Sequence, residues 1–398
     1  MANKIRLGIF GFGVVGQGLY YVLSQTNGIS AEISKICIKN PEKDRILDRS
    51  LFTTDRFEIL NDPDVDVIVE LIDDHEAAYE IVKYALQNGK HVVTANKRML
   101  ADNLEELYQL QKEYKTHLLY EGACCASIPI IRNLEEYYDN DLLNAVEGIF
   151  NGSTNYILTK MAEEGVTYTE ALNQAQEKGF AEADPTLDVA GFDSKFKLSV
   201  ILAHSFGIFN KPESILNFGI NKLSEFDFQF AKQRGFKIKL KANCRKDNGK
   251  VFSIVAPQFL APDDKLYPVN NEYNGVIVEG AFSENQYFIG KGAGSYPTGS
   301  AVLSDISALT FNYKYEYKKY QQNLNLELSN DFKLKLYVRW ENEGIDKELF
   351  DEIDEEFRTT DNSYIIGSIN LANLQQSKWL ERDDISIILT NKSELLSA

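Results

Sequence analysis

The sequence has 398 residues, of which 44% are hydrophobic and 25% charged, and its formal net charge is −17. This length provides for two or three domains with large buried cores, which fold without disulfide or metal support. An excess of acidic residues repels polyanions, so the composition argues against nucleic acid and anionic membranes as partners, although a local basic pocket could still hold a small phosphate ligand.

Four cysteines, Cys37, Cys124, Cys125 and Cys244, show neither a CxxC pair nor zinc-like spacing with the four histidines. This pattern is typical of reduced thiols in a cytosolic protein. No export leader is evident at the N-terminus, and no apolar run reaches the roughly 18 residues that a transmembrane helix needs. We therefore expect a cytoplasmic location, with Asp, Glu and Lys as the proton-handling groups.

The first 130 residues alternate strand-like and helix-like segments, which predicts an α/β doubly wound parallel sheet of the Rossmann type. The predicted strands are 4–10, about 33–38, 65–72, 91–94 and 117–121, and the predicted helices are 17–24, 76–88 and 102–114.

A glycine-rich turn, Gly11-Phe12-Gly13-Val14-Val15-Gly16, follows the first strand and opens the first helix. Glycines in a GxGxxG pattern permit a tight turn, close approach to a pyrophosphate and close packing of helix on strand. The alternative is a tight turn in an unrelated α/β domain. In this context the motif predicts dinucleotide binding.

The second predicted strand does not end in the acidic residue that binds an NAD ribose. Three basic residues follow it instead, Lys39, Lys43 and Arg45, and they could meet a 2′-phosphate. This favours NADP as cofactor, with NAD as the alternative. An ordinary solvated loop remains the other interpretation, since Glu42 and Asp44 dilute the positive charge.

Three later segments carry the remaining candidate chemistry. Lys97 follows a predicted parallel strand, where ligands of such sheets bind, although most lysines lie on the surface. Gly152 and Ser153 precede a helix whose start could be a plain cap or could hold a carboxylate. The third segment, from Lys178 to Lys197, is rich in carboxylates. Its spacing places Asp193 and Lys197 on one helix face, as a proton-transfer pair or as a surface ion pair.

The middle and tail of the chain change character. Helical segments at 153–164, 169–178 and 190–206 precede strand-like segments, and this predicts an α+β domain with a mostly antiparallel sheet. Asn248-Gly249 is a strong hairpin signal within it. Residues 321–398 contain 16 acidic and 8 basic residues, and they read as a small α+β appendage with an acidic helix at 345–357. The predicted domains are 1–130 (completed by about 295–320), 131–294 and 321–398.

The sequence resembles homoserine dehydrogenases over about residues 5–310. Five segments occur in the order of that family: GFGVVG, VTANK, GIFNGSTNYILTKM, KGFAEADPTLDVAGFD and KGAGSYPTGSAVLSD. The resemblance implies NAD(P)-dependent interconversion of L-homoserine and L-aspartate 4-semialdehyde, in the biosynthesis of threonine and methionine. It also implies a homodimer or larger homo-oligomer, formed through the middle domain.

The resemblance also implies roles for individual residues. Lys197 is the proton-transfer residue with Asp193 as its partner, and Lys97 lies between cofactor and substrate. Those implied to bind the cofactor are Gly11, Gly13, Val14, Val15, Gly16, Lys97 and Gly292, and those implied around homoserine are Gly152, Ser153, Glu182, Asp188 and Asp193. A monovalent cation such as sodium is expected on the backbone carbonyls of Glu121, Cys124, Ala126 and Ile128.

Several positions depart from the family pattern. Asp73-Asp74 stands where a glycine pair is common, and Cys124-Cys125-Ala126 replaces part of a glycine-rich cation loop. Phe180 replaces a frequent tyrosine. The tail resembles a shortened ACT regulatory domain, but Glu341-Asn342-Glu343-Gly344 stands in place of its usual Asp-Arg-Pro-Gly turn. A structural or oligomerising appendage is the equal alternative.

Two other functions compete with this interpretation. One is a non-catalytic NADP-binding regulatory homologue, against which the retained Lys97, Asp193 and Lys197 argue. The other is a related dehydrogenase of another small amino-alcohol.

Overall fold

The computed structural model describes residues 4–390 and the backbone of residues 396–397. The chain divides into two compact units. The first contains the residues up to Asp139 together with Lys291–Lys318. The second contains Asn140–Gly290 together with the residues from Lys319 onward.

Helices and strands are numbered in chain order. The first part of the chain forms β1 (Ile5–Phe10), α1 (Val14–Ser24), β2 (Ala31–Cys37), β3 (Phe52–Thr53), α2 (Arg56–Leu60), β4 (Val67–Glu70), α3 (His75–Gln87), β5 (His91–Thr94), α4 (Lys97–Tyr114), β6 (Leu118–Leu119) and α5 (Ile130–Glu136). The middle part forms β7 (Leu143–Ile149), α6 (Gly152–Glu164), α7 (Tyr168–Glu177), α8 (Thr186–Val189), α9 (Phe192–Phe206), β8 (Leu216–Asn217), α10 (Glu225–Gln233), β9 (Lys237–Asp247), β10 (Lys250–Leu260), β11 (Tyr273–Gly280) and β12 (Asn285–Lys291). The last part forms α11 (Ser295–Thr310), α12 (Lys318–Gln322), β13 (Glu327–Leu328), β14 (Phe332–Trp340), β15 (Glu352–Arg358), β16 (Ser363–Asn370), α13 (Leu371–Gln375), β17 (Ile385–Leu389) and β18 (Leu396–Ser397).

The first unit is built on a parallel sheet with the strand order β3-β2-β1-β4-β5-β6. This is the order of a Rossmann fold, and it confirms the fold class predicted from the alternating pattern. Every residue of β4 is buried, because helices cover both faces of such a sheet. The carboxyl ends of β1, β4 and β5 consequently share one edge, where ligands of this fold bind.

The second unit contains a mixed sheet in which β7, β9 and β10 pair antiparallel and β11 extends the edge next to β7. The hairpin between β9 and β10 turns at Asn248 and Gly249, with φ of +46° and +81°. Both residues are therefore left-handed, as the predicted hairpin requires. Helices α6 and α9 both pack against β9.

The tail strands join this second unit. In the sheet order β10-β17-β14-β16-β15, the link to the middle strands is the parallel pair Gln258–Leu389. A single buried apolar cluster includes Phe252 and Ile254 of β10 together with Phe332 and Leu336 of β14. The described part of the tail, up to Leu389, thus shares a core with the middle segment. The tail's assignment as a domain of its own stays a prediction.

The predicted acidic helix at 345–357 was wrong. This stretch forms a single 3₁₀ turn, Lys347–Leu349, followed by the exposed strand β15. The strand pairs antiparallel with β16, so backbone hydrogen bonding to a neighbour prevails over the helical preference of its glutamates.

Among the described residues, no helix combines the length and apolarity needed to cross a membrane.

Candidate active site

The glycine-rich turn after β1 is tightly packed at Gly11 and open at Gly13. Gly11 has a φ of +95°, and a β-carbon on it would stand 2.6 Å from the carbonyl oxygen of Leu71. Gly13 caps α1 without a side-chain hydrogen bond, and a β-carbon on it would meet no atom within 4 Å. Backbone N–H groups and the helix dipole attract phosphate at such a position. These residues fit the pyrophosphate of a dinucleotide.

The remaining motif residues, Val14, Val15 and Gly16, form the first turn of α1. Gly16 lies against the turn, since a β-carbon on it would stand 2.5 Å from the carbonyl oxygen of Gly11. Val14 is 67% exposed and Val15 is half-buried. The structure therefore brings all five predicted cofactor residues of the motif together.

A returning segment packs against the same helix. Gly292 lies between β12 and α11, and α11 crosses α1 where a β-carbon on Gly18 would stand 2.1 Å from the carbonyl oxygen of Ser295. Gly299 faces the same crossing, and the Ser295 hydroxyl donates to the carbonyl of Val14 at 2.8 Å. Residues 291–318 thus belong to the first unit.

The carboxyl ends of β4 and β5 hold a buried carboxyl group. Glu70 accepts hydrogen bonds from the Thr94 hydroxyl and from the Ile72 backbone N–H, the latter at 2.7 Å. Burial raises the pKa of Glu70 to about 7. The Asn96 amide donates to the carbonyl of Ile72 at 3.0 Å and caps α4, so Lys97 is the half-buried first residue of that helix.

The Asp73-Asp74 pair has a structural explanation at its second residue. One carboxylate oxygen of Asp74 accepts the backbone N–H groups of Glu76 and Ala77, at 3.2 and 3.1 Å. Asp74 is therefore the N-cap of α3, a role that aspartate performs well.

A cavity of about 420 Å³ lies at the carboxyl end of β2 and includes Lys43, Arg45 and Arg49 in its lining. The Arg45 guanidinium donates to the backbone carbonyls of Lys43 and Asn40, each at 2.7 Å, so it braces its own loop. Lys39 is exposed and lies outside this lining. The structure thus brings two of the three predicted basic residues together, and sequence reasoning missed Arg49.

The predicted cation loop has the left-handed backbone that glycine favours, although non-glycine residues occupy these positions. Cys125 and Ala126 have φ of +49° and +39°, both left-handed. The Glu121 carbonyl accepts the Cys124 N–H at 3.2 Å, and the Ile128 carbonyl accepts the N–H two residues further on at 2.8 Å. No cluster of three or more His, Cys, Asp or Glu side chains that could hold a metal occurs in the described part of the chain.

Two buried acidic residues, Glu121 and Asp305, accept hydrogen bonds from the backbone of this region. The Glu121 carboxylate accepts the backbone N–H groups of Ile131 and Arg132, each at 2.9 Å, and the Glu121 N–H donates to Asp305 at 2.8 Å. Asp305 pairs with Arg132 at 2.7 Å. Burial, with the nearby Asp305, raises the pKa of Glu121 to about 8, and burial raises that of Asp305 to about 6.

The second unit brings three predicted site residues, Asp188, Asp193 and Lys197, together at Asn151. The Asn151 side-chain nitrogen donates to Asp188 at 2.7 Å and to Asp193 at 2.9 Å. The Lys197 ammonium donates to Asp193 and to the backbone carbonyl of Phe150, both at 2.7 Å. Asp193 is 3% and Lys197 is 5% exposed, so this is a buried ion pair and not a surface one.

Local structure explains how the pair is held. The chain enters α9 through Gly191, whose φ of +84° only glycine adopts without strain. Asp193 and Lys197 then lie four residues apart near the start of a helix that is buried from Asp193 to Phe206. Burying two charges costs free energy unless they are paired and hydrogen-bonded, and both conditions are met.

The start of α6 borders the same asparagine. Asn151 caps the helix by accepting the Thr154 N–H at 2.8 Å. A β-carbon on Gly152 would stand 2.6 Å from the carbonyl oxygen of Glu272, so only glycine fits. The Ser153 hydroxyl donates to the carbonyl of Phe180 and thereby holds the loop that leads to Glu182.

Glu182 lies in this loop as an exposed side chain, and its backbone carbonyl accepts the Gln176 amide at 2.9 Å. Glu182 therefore precedes Asp188 and Asp193 in the chain and, unlike Asp193 and Lys197, is exposed. Phe180 packs against Tyr156 with ring centroids 5.1 Å apart.

Sequence reasoning missed Asn151 and Glu70 as functional candidates. No local pattern pointed to Asn151, because its two carboxylate partners lie 37 and 42 residues away. Glu70 lies within the predicted strand 65–72, where it gives no signal of its own.

Comparison with known proteins covers both units. A family model described as homoserine dehydrogenase matches residues 129–307, and one described as the homoserine dehydrogenase NAD binding domain matches residues 11–121. The homoserine dehydrogenase of Bacillus subtilis is 37% identical over 321 residues, 78% of this chain and 74% of that protein. The enzyme of Synechocystis is 36% identical over 313 residues, 76% of this chain and 72% of that protein.

Solved structures give the same result. A homoserine dehydrogenase from Thiobacillus denitrificans covers 98% of each chain with a TM-score of 0.86 at 27% identity. A hyperthermophilic archaeal homoserine dehydrogenase in complex with NADPH has a TM-score of 0.67 at 26% identity, covering 79% of this chain and 99% of that chain.

Proposed function

The chain belongs to the homoserine dehydrogenase family, and on this premise we propose which of its residues carry out the reaction. It is an NAD(P)-dependent oxidoreductase that interconverts L-homoserine and L-aspartate 4-semialdehyde. The non-catalytic alternative and the dehydrogenase of another amino-alcohol gain no support from these relatives.

Lys197 is the proposed proton-transfer residue. In oxidation the neutral amine of Lys197 takes the hydroxyl proton of homoserine, directly or through a water, and becomes the ammonium. In reduction the ammonium donates that proton to the aldehyde oxygen. Asp193 and Asn151 orient the lysine through the contacts at 2.7 and 2.9 Å. When bound, the nicotinamide supplies the redox chemistry by exchanging a hydride with the carbinol carbon.

The remaining residues bind the substrate. We assign Gly152 and Ser153 to the backbone surface that homoserine contacts, and Asp188 and Glu182 to its ammonium group, because carboxylates bind ammonium well. Lys97 remains the proposed third catalytic residue.

The single observation that carries this assignment is the chain of contacts Lys197–Asp193–Asn151–Asp188, in which all but Asp188 are buried. Its direct test is oxidation of L-homoserine by the purified protein, followed by absorbance of the reduced nicotinamide. Homoserine should be oxidised in preference to other small amino-alcohols. Bound cofactor without turnover would contradict the proposal.

We propose NADP as the preferred cofactor. The support is the cavity lined by Lys43, Arg45 and Arg49 at the end of β2, with Lys39 exposed nearby. Replacing one basic residue that binds the phosphate removes a charge-assisted hydrogen bond. Its loss weakens cofactor binding by about 1–3 kcal/mol. Lys43→Gln should therefore lower kcat/KM for NADP+ by roughly tenfold.

Measurement with NAD+ is the control for this substitution. Its kcat/KM should stay within about twofold, because NAD+ lacks the 2′-phosphate. Equal losses with both cofactors would show that the loop has been damaged in general, and would contradict a phosphate-specific role.

We further propose that the carbonyls of Glu121, Cys124, Ala126 and Ile128 hold a monovalent cation. The support is the left-handed backbone at Cys125 and Ala126, which gives the loop the shape that glycines would allow. The cation would stabilise the loop, and no step of the reaction requires it.

We propose a homodimer formed through the middle sheet. Its support is the edge strand β12, where Tyr287 is 45% and Ile289 is 59% exposed, with Phe282 at 87% in the preceding turn. Exposed apolar side chains on an edge strand mark a surface that another chain covers.

A further inference from the structure

We propose that Lys239 is a positioning residue for substrate binding. It holds in place the loop Val269–Tyr273, whose backbone lies against the N-terminus of α6. The inference rests on the proposed function, because Gly152 at that N-terminus is the proposed contact of homoserine.

Lys239 is buried within a network of oxygen atoms. It lies on β9 and is 1% exposed. Its ammonium donates to the Asn155 side-chain oxygen at 2.9 Å, the Val269 carbonyl at 2.6 Å and the Asn270 side-chain oxygen at 3.2 Å. An ammonium has three hydrogens, and these three acceptors match them. One acceptor comes from α6 and two from the loop, so the lysine joins the two elements.

Asn155 makes the junction tighter. It is fully buried on α6, and its side-chain nitrogen donates to the carbonyls of Val269 and Tyr273 at 3.1 and 3.0 Å. The loop is thus fastened at both ends to the first turns of α6. Between these ends the Asn271 N–H donates to Thr159 at 3.0 Å.

The loop in turn limits the space at Gly152. The carbonyl oxygen of Glu272 would stand 2.6 Å from a β-carbon on that glycine. A shift of the loop by even 1 Å would therefore change the surface that the substrate meets, and such misplacement weakens catalysis markedly. This gives Lys239 a path to the site through backbone contacts alone.

Charges around Lys239 come from two elements. Glu163 of α6 favours its charged form, and Lys237 of β9 opposes it. These two neighbours pair with each other at 3.3 Å, and Lys237 also donates to Asn270. Burial, more than these charges, lowers the pKa of Lys239 to about 7. The contacts with the loop therefore weaken when the ammonium loses its proton above neutral pH.

The matched control is Lys241, two residues along the same strand. It is also buried, at 3% exposure, but it pairs with Glu147 of β7 at 3.0 Å. Lys239→Met and Lys241→Met each remove one buried charge from β9. Only the first removes contacts with the loop.

Two measurements test the proposal. Lys239→Met should raise KM for L-homoserine by roughly tenfold while KM for NADP+ stays unchanged, and Lys241→Met should change neither. Hydrogen exchange without substrate should be faster at the Asn271 amide in Lys239→Met than in Lys241→Met. If Lys239→Met does not fold, Asn270→Ala should change KM and exchange in the same direction.

The outcomes separate the two levels of inference. A wild-type protein that does not oxidise homoserine overturns the proposed function, while the exchange comparison still decides whether Lys239 holds the loop. A wild type that is active, with homoserine KM and Asn271 exchange equal in the two lysine variants, overturns the positioning role.

Discussion

At the scale of single residues, the candidate site depends on charged groups that are buried together with their partners. Lys197 and Asp193 lie one helical turn apart, and this contact could be predicted from their spacing of four residues. The Asn151 contacts could not, because a residue and partners some 40 positions away give no local signal. Lys239 and Asn155 are separated still further, by 84 positions.

A second residue-scale feature predicts sensitivity to acid. His117 packs against His91 with ring centroids 4.5 Å apart, and burial, with the neighbouring histidine, lowers the pKa of His117 from 6.5 to about 4. The unfolded chain therefore takes up a proton near pH 6.5, whereas the folded protein takes it up only near pH 4. His117 should lower the stability as the pH falls through this window, by roughly 3 kcal/mol in total.

Unfolding by urea at several pH values tests this prediction. Buried acidic residues such as Glu121 also titrate in this range, but their protonation stabilises the folded protein as the pH falls. The comparison is therefore between wild type and His117→Phe. Between pH 7 and pH 4.5 the wild type should lose more stability than the variant. Parallel pH dependences would refute a role for His117.

At the scale of elements, prediction succeeded where the local pattern agreed with the tertiary environment. The glycine turn, α1 and β1 follow from composition and spacing, because each has its full explanation within a few residues. The stretch at 345–357 shows the opposite case. Its acidic residues favour a helix in isolation, but pairing with β16 makes most of it a strand, β15.

A buried ion pair joins α10 to the tail. Asp227 of α10 accepts hydrogen bonds from Arg339 and Tyr337 of β14, both at 3.0 Å, and Asp227 and Arg339 are almost fully buried. Removing one partner leaves the other charge without compensation, so Arg339→Met should lower the free energy of unfolding by about 3–5 kcal/mol.

Thermal and urea unfolding measure this effect, and the double variant Asp227→Leu/Arg339→Met supplies the control. Because it leaves no lone charge, it should recover much of the lost stability. If the double variant loses as much stability as the two single substitutions together, the buried-charge explanation is wrong.

At the scale of the whole molecule, the net charge of −17 is unevenly distributed. Residues 321–398 carry −8 of it, and β15 contributes Glu352, Asp354, Glu355 and Glu356 to the outer edge of the sheet. Charges on an exposed edge strand oppose pairing with another chain. Part of the acidity that first argued against polyanion partners thus protects a sheet edge.

The tail's topology supports its proposed relation to the ACT domain. Numbered within the tail, its four main strands have the sheet order 2-3-1-4, with α13 before the last strand and only a 3₁₀ turn in place of the first helix. In the turn that replaces Asp-Arg-Pro-Gly, the carbonyls of Glu343 and Gly344 accept Arg382 at 2.7 and 3.0 Å. We propose a diverged ACT-like module, with a structural or oligomerising appendage as the equal alternative.

The central claim is that Lys197 transfers the proton in homoserine oxidation, and replacing it tests that claim most directly. Lys197→Met should lower kcat by roughly 10²–10⁴-fold and leave NADPH binding, followed by fluorescence, unchanged. Lys195→Met is the matched control, since Lys195 is buried on the same helix but donates to Asn217 at 2.9 Å. It should keep most of the activity. Turnover near the wild-type rate in Lys197→Met, or loss of cofactor binding together with activity, would contradict the account.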